Sequence, residues 1–151
     1  MKLAIALVLI ATSAAAQTAT VTDGDTLHLS GTVYRLWGID APETHQVCTD
    51  GWRAGIEAKL ALERLVAGKT VTCENRGADR YGRTISLCRA NGEDLQAAMV
   101  QLGMAWAFVR YSFDYVDQEA RAKAESLGVH AHKCEPPWLW RSDQPRGVPR
   151  Q

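Results

Sequence analysis

The tightest constraint on how this chain can fold lies between residues 18 and 40, where strand patterns follow one another with only a few turn residues between them. Val21, Leu27 and Leu29 are spaced in multiples of two around polar Thr26, His28 and Ser30, the period of a half-buried strand. Ser30-Gly31 supplies a hairpin turn, and the next strand is expected from Thr32 to Ile39. Its alternation sets Tyr34 and Leu36 on one face and Arg35 on the other. With the first pair in the core, the Arg35 guanidinium points out of the wall.

Helical spacing begins after Gly51, where Ile56, Leu60, Leu62, Leu65 and Val66 form an apolar stripe that Gly68 is placed to end. A second stripe, Leu95, Ala98, Met99 and Leu102, has Asp94 as its cap and Gly103 as its stop. A third helix carries Val116, Ala120, Ala124 and Leu127 on one side, with Gly128 beyond its end. Two apolar runs, Thr70 to Glu74 and Thr84 to Cys88, lie between the first two helices, and a short one, Ala105 to Val109, follows the second. Strands in hairpin-like succession with interspersed helices describe an α+β, mainly β fold: a five-stranded β-barrel of the OB type with about three packed helices. Trp138 and Trp140 are expected to lie against the body, with a tail over residues 142–151 that frays.

The chain opens with Met1-Lys2, an apolar run from Leu3 to Ala11, and a small-residue exit ending at Ala16. That is the pattern of a secretory signal peptide over residues 1–16, too short to span a bilayer. The mature chain, one domain over residues 17–141 before the tail, is then secreted or periplasmic with no membrane segment. Cys48, Cys73, Cys88 and Cys134 make an even set in an exported chain, so two disulfides are expected in one of three connectivities. The competing idea, zinc held by His130, His132 and Cys134 with Cys48, lacks a Cys-x-x-Cys pair. Seventeen basic and seventeen acidic residues cancel, so no bulk positive field advertises a nucleic-acid partner, and none is excluded.

Two segments combine turn residues with charges that a stable fold does not require. One holds Asp23-Gly24-Asp25 at the junction of two strands and, after the end of the third, Asp40-Ala41-Pro42-Glu43; the other is Asp79-Arg80-Tyr81-Gly82-Arg83. Asp-Gly-Asp taken alone is an ordinary turn. Gathered carboxylates, however, repel one another unless a cation joins them, and calcium takes six to eight oxygens from carboxylates, carbonyls, water and substrate. Arg35 and Arg83 add planar guanidiniums suited to two parallel hydrogen bonds on a phosphate, where an ordinary surface ion pair is the alternative. His45 lies close to Glu43 and offers a rival base, but a lone loop histidine is more often solvated.

The Asp-Gly-Asp-Thr turn, the run Arg35-Leu36-Trp37-Gly38-Ile39-Asp40-Ala41-Pro42-Glu43 and the Asp79 to Arg83 loop together resemble the signature of the staphylococcal nuclease-like (thermonuclease) family. The match runs from about Val21 to about Arg141, with Gly103, Ala105, Tyr111, Tyr115 and Pro136-Pro137-Trp138 also fitting secreted bacterial members. The resemblance implies a calcium-dependent, largely sequence-nonspecific endonuclease acting on DNA and RNA, single strands preferred, that leaves 3′-phosphates and works as a monomer. It implies one Ca2+ bound by Asp25, Asp40 and the Ala41 carbonyl, with Asp23 supporting the turn. Glu43 would be the general base, and Arg35 and Arg83 would grip the phosphate. Arg80, Tyr81 and Tyr111 would hold substrate, with Tyr111 equally readable as a half-buried core residue. Val109 departs from relatives that carry a second tyrosine there. Ala54, where relatives often have a cysteine, and the His130 and Cys134 region also depart from the pattern. Together they imply Cys48 paired with Cys134 and Cys73 with Cys88. The alternative, an inactive OB-fold module that only binds nucleic acid or protein, usually loses the carboxylates or arginines, which are all retained here. A purely structural envelope protein would leave the five charges unexplained.

Overall fold

The computed structural model describes residues 18–144; the expected leader and the last part of the expected tail, 145–151, lie outside them. Strands β1 (Thr20–Asp23), β2 (Thr26–Leu29), β3 (Thr32–Leu36), β5 (Val71–Ala78) and β6 (Thr84–Ala90) form the path β1-β2-β3-β6-β5, with β7 (Glu93–Asp94) added to β6. All these pairs are antiparallel except β3 with β6, which runs parallel. With its helices this is the expected α+β, OB-type arrangement. A separate two-stranded ladder joins β4 (Ile39–Asp40) to β8 (Trp106–Ala107). Leu27, Leu36, Leu62, Leu95, Met99 and Val100 are among the residues at the centre of the core.

The expected strand from Thr32 to Ile39 is broken. It stops at Leu36, turns at Trp37-Gly38, where Gly38 has φ +70°, and resumes as β4 in the other ladder. The consequence is functional, because the turn carries Asp40 off the main sheet while keeping it close to Arg35. The Ser30-Gly31 turn forms as expected, with both residues at positive φ.

Helix burial departs from the sequence stripes in a consistent way. Helix α1 (Ala54–Val66) buries Ala54, Ala58, Ala61, Leu62 and Val66, while Leu60 faces solvent. Small residues win the inner face because the helix approaches the chain at Gly24 closely. In α2 (Leu95–Gln101) the Asp94 side chain caps the Ala97 amide as expected, at 2.9 Å, but Gln96 and Val100 join Leu95 and Met99 inside while Leu102 is exposed. Buried Gln96 accepts from the Cys88 amide at 3.2 Å through its Oε1.

The third stripe is wrong by a helix face. In α3 (Val116–Ala124) the inward residues are Glu119 and Ala122, next to buried Tyr115, whereas Val116, Ala120 and Ala124 are exposed. Tyr115 sets that rotation: its ring packs beneath Gly38 and its hydroxyl donates to Asp94 at 3.3 Å, an anchor that outweighs three small apolar side chains. A fourth helix beyond the expected three, α4 (Pro137–Asp143), opens on a proline at its first turn and takes in Ser142 and Asp143, the first two residues of the segment expected to fray.

Disulfides join Cys48 to Cys134 and Cys73 to Cys88, the second across a registered pair of β5 and β6. Zinc ligation by these cysteines is thereby removed. His132 instead stacks on Trp52 and bonds Asp50 at 2.8 Å, and His130 packs on the Trp106 ring. No helix among the described residues is long and apolar enough to cross a membrane.

Gly103 (φ +68°) and Gly128 (φ +50°) cross so closely that a Cβ on either would overlap the carbonyl region of the opposite segment. Gly103→Ala is therefore expected to cost more than about 1 kcal/mol of stability in urea unfolding. Burial lowers the His130 imidazole below its ordinary value, and its buried Nε2 has no hydrogen-bond partner among the described residues. The unfolded imidazole titrates near about 6.5, so just below that pH the unfolded chain binds more protons than the folded one. Stability should fall as pH drops from about 7.5 to about 5.5. A urea-midpoint series should show a shallower fall in His130→Phe.

Candidate active site

Asp25 follows a tight turn in which the Asp23 carboxylate accepts the Asp25 amide at 3.1 Å. Gly24 allows this turn to press on the next segment, since a Cβ there would lie 2.7 Å from the Cβ atoms of both Ala41 and Ala58. The close approach lets Asp25 Oδ2 accept the Ala41 amide at 2.7 Å, tying the first turn to the end of β4. Asp25 and Asp40 are 6% and 1% exposed, so two carboxylates are buried within one small volume.

Arg35 lies between them. Its Nη2 donates to Asp40 Oδ1 at 2.9 Å, and its Nη1 forms an ion pair with Asp25 Oδ2. The Nη1 contact is off the line of a hydrogen bond, so this buried donor stays incompletely satisfied. The guanidinium thus does not point out of the wall into solvent, as strand alternation alone implied; it turns along the wall into the carboxylates. Burial opposes the Arg35 charge, but Asp25 and Asp40 outweigh it and hold the group firmly protonated. Burial pushes Asp25 well above the usual carboxylate range, against the pull of Arg35 and with added repulsion from Asp23 and Asp40.

Glu43 sits at the rim of this pair. Its amide donates to Gln46 Oε1 at 3.1 Å and its carbonyl accepts the Gln46 amide at 2.8 Å, so the loop is pinned by a buried glutamine. His45 is exposed on the same loop. A third cation enters from α4: Arg141 donates to Asp40 Oδ2 at 2.8 Å, to Asp40 Oδ1 at 3.3 Å and to Glu43 Oε1 at 2.6 Å. Those carboxylates raise the Arg141 guanidinium pKa further, outweighing its partial burial.

The parallel register pairs Tyr34 with Thr84, so the loop ending at Arg83 opens beside β3. Within it Asp79 accepts from the Tyr81 and Arg83 amides at 2.9 and 3.0 Å and from Arg83 Nε at 2.7 Å. Arg80 and Arg83 both lie over the Tyr81 ring, 4.8 and 5.7 Å from its centroid. The recorded partners of Arg83 are thus in its own loop, and none is a carboxylate of the main cluster. Tyr111 is 62% exposed, settling its position in favour of a surface ring that meets Phe108 edge-on.

A family model described as staphylococcal nuclease homologue matches residues 33–132, about two thirds of the chain. This chain belongs to that family. It is 37% identical over 130 residues to an uncharacterized endonuclease of Escherichia coli O157:H7, covering 80% of each chain. It is 35% identical over 118 residues to an uncharacterized endonuclease of Haemophilus influenzae, covering 74% of this chain and 63% of that one. The identity is 38% over 121 residues to the succinoglycan biosynthesis protein ExoI of Rhizobium meliloti, covering 74% of this chain and 62% of that protein. The chain therefore spans under two thirds of the length of some curated relatives it matches.

The family match includes Arg35, Asp40, Glu43 and Arg83 and begins after Asp25, which joins them through the contacts above. Among the described residues no group of three or more His, Cys, Asp and Glu side chains is arranged to hold a metal. The donor set fits a different demand. Asp25, Asp40 and the neighbouring Ala41 carbonyl are hard oxygens, and a buried carboxylate with a raised pKa is one that an added cation would relieve.

Arg141 and exposed Phe113 (76%), close to Tyr111, were missed in the sequence reading. A sign of the first was legible: a proline pair opening a helix puts Trp138 and Arg141, three residues apart, on one face. The loop offers a direct test. Burial works to raise the Asp79 pKa, yet the Arg83 hydrogen bonds and the loop amides hold it below the ordinary range. Asp79→Ala should speed exchange of the Tyr81 and Arg83 amides by about tenfold or more, measured by NMR hydrogen exchange, with the β2 and β3 amides unchanged.

Proposed function

We propose that this chain is a calcium-dependent, largely sequence-nonspecific endonuclease that hydrolyses phosphodiester bonds of DNA and RNA, preferring single strands. The observation that carries the reading is Arg35 held between Asp25 and Asp40 with Glu43 at the rim. Retention of that set in a member of a nuclease family supports catalysis rather than binding alone. Asp25, Asp40 and the Ala41 carbonyl would hold one Ca2+, which when bound would neutralise phosphate charge and position water.

The residues of the chain do the remainder. Arg35, with an incompletely satisfied donor in the cluster, binds the scissile phosphate and stabilises the charge that builds on its oxygens. Arg83 swings from Asp79 to the same phosphate, and Asp23 keeps the first turn in shape. Glu43 accepts a proton from the attacking water. The water oxygen joins phosphorus as the bond to the 5′ oxygen breaks, the departing 5′ oxygen takes a proton from solvent, and a 3′-phosphate and a 5′-hydroxyl result. Arg80, Tyr81 and Tyr111 offer guanidinium and aromatic surfaces on which any base can stack, worth about 1–3 kcal/mol per base and tolerant of sequence. The two disulfides favour an oxidising compartment, in keeping with removal of residues 1–16 and release of a monomer to the periplasm or beyond.

Purified mature chain should digest single-stranded DNA with calcium and stop on chelation, as read on a denaturing gel with calcium, magnesium and chelator in parallel. Glu43→Gln and Arg83→Ala should each slow cleavage by about 100-fold to 1,000-fold with unchanged circular dichroism. Full activity in either folded variant removes the role given to that residue.

A further inference from the structure

Arg141 does not reach the site by accident of a loose tail. Its helix is held from several directions: Cys134 is bonded to Cys48, Gln46 Nε2 donates to the Glu135 carbonyl at 2.7 Å, and Pro137 is buried. Trp138 packs on Trp106 and Phe108, with ring centroids 6.4 and 5.4 Å away. Trp106 is the registered partner of Asp40 across β4 and β8, so the anchor of the helix and the target of Arg141 share one ladder rung. Gln46 also accepts the Glu43 amide, which places the base loop and the helix on one buried side chain.

The contacts cover both oxygens of Asp40. Oδ1 accepts from Arg35 and from Arg141 Nη1, Oδ2 accepts from Arg141 Nη2, and the same Nη1 also donates to Glu43 Oε1. A hard divalent cation on Asp40 needs one of those oxygens at roughly 2.3–2.6 Å. A guanidinium bidentate on the same carboxylate sets like charge against like at close range, on an Asp40 that is itself buried. We infer that Arg141 is a built-in cation that competes with divalent metal for Asp40, so that metal entry and docking of the Arg141 fork exclude each other. This rests on the reading of Asp40 as a metal ligand. At low calcium the fork covers a ligand and the base together. At high calcium the metal displaces it, freeing Glu43 and loosening the end of α4. Coupling of this kind is reciprocal, so each event reports on the other.

The test uses the full mature chain and calcium alone, without nucleic acid. Isothermal titration should give Arg141→Gln a calcium Kd lower than wild type by at least about fivefold, with Arg141→Lys between them. In the unaltered chain, calcium should speed amide exchange in residues 139–143, a readout that survives if the variant folds poorly. Equal or weaker calcium binding by folded Arg141→Gln, or added protection of residues 139–143 by calcium, overturns the competition. Calcium binding undiminished in Asp40→Asn, or absent from every form, overturns both the competition and the calcium reading on which it stands.

Discussion

The site depends on Arg35 placed between two buried carboxylates. Asp25 and Asp40 come from segments 15 residues apart in sequence, and without a cation between them each would face the other's charge with little water to screen it. The guanidinium does not complete the balance. Asp25 is still driven up in pKa by its burial, and one Arg35 nitrogen still lacks a well-directed acceptor. Two carboxylates and a guanidinium therefore share one small, nearly dry volume in which charge is only partly balanced.

Backbone economy makes that arrangement possible. The absence of a side chain at Gly24 brings the Asp23 to Asp25 turn against Ala41 and α1, and the break at Gly38 sends Asp40 into a second ladder. Each is a local departure from regular strand structure, and each delivers one carboxylate to Arg35. The core behind them is conventional, with Leu27, Leu36, Leu62 and Met99 giving the rigidity against which the charges are held.

The C-terminal segment couples to this centre through packing rather than through the sheet. A disulfide, a buried glutamine and an aromatic cluster converge on α4, and their combined effect is to aim one side chain, Arg141, at Asp40 and Glu43. On the other side the Asp79 to Arg83 loop closes on itself through Asp79 and Tyr81. The two segments therefore differ: one places its arginine on the carboxylates, and the other pairs its arginine within its own loop.

Local signals in the sequence were enough for the first hairpin, the Ser30-Gly31 turn and the Asp94 cap, because each depends on residues within a few positions of one another. The same holds for the motifs around Asp25, Asp40 and Arg83, whose short spacing survives any packing. Tertiary structure decided what local periodicity cannot encode. Which face of α3 turns inward was set by Tyr115 beneath Gly38, and the small-residue face of α1 was selected by its close approach at Gly24. The direction of Arg35 followed from two carboxylates that attract it along the wall, and the place of Arg141 from contacts about 100 residues away, at sequence separations of 98 and 101. Long-range charge and side-chain volume act through space, and a chain read in order shows only the groups that will meet, not the meeting.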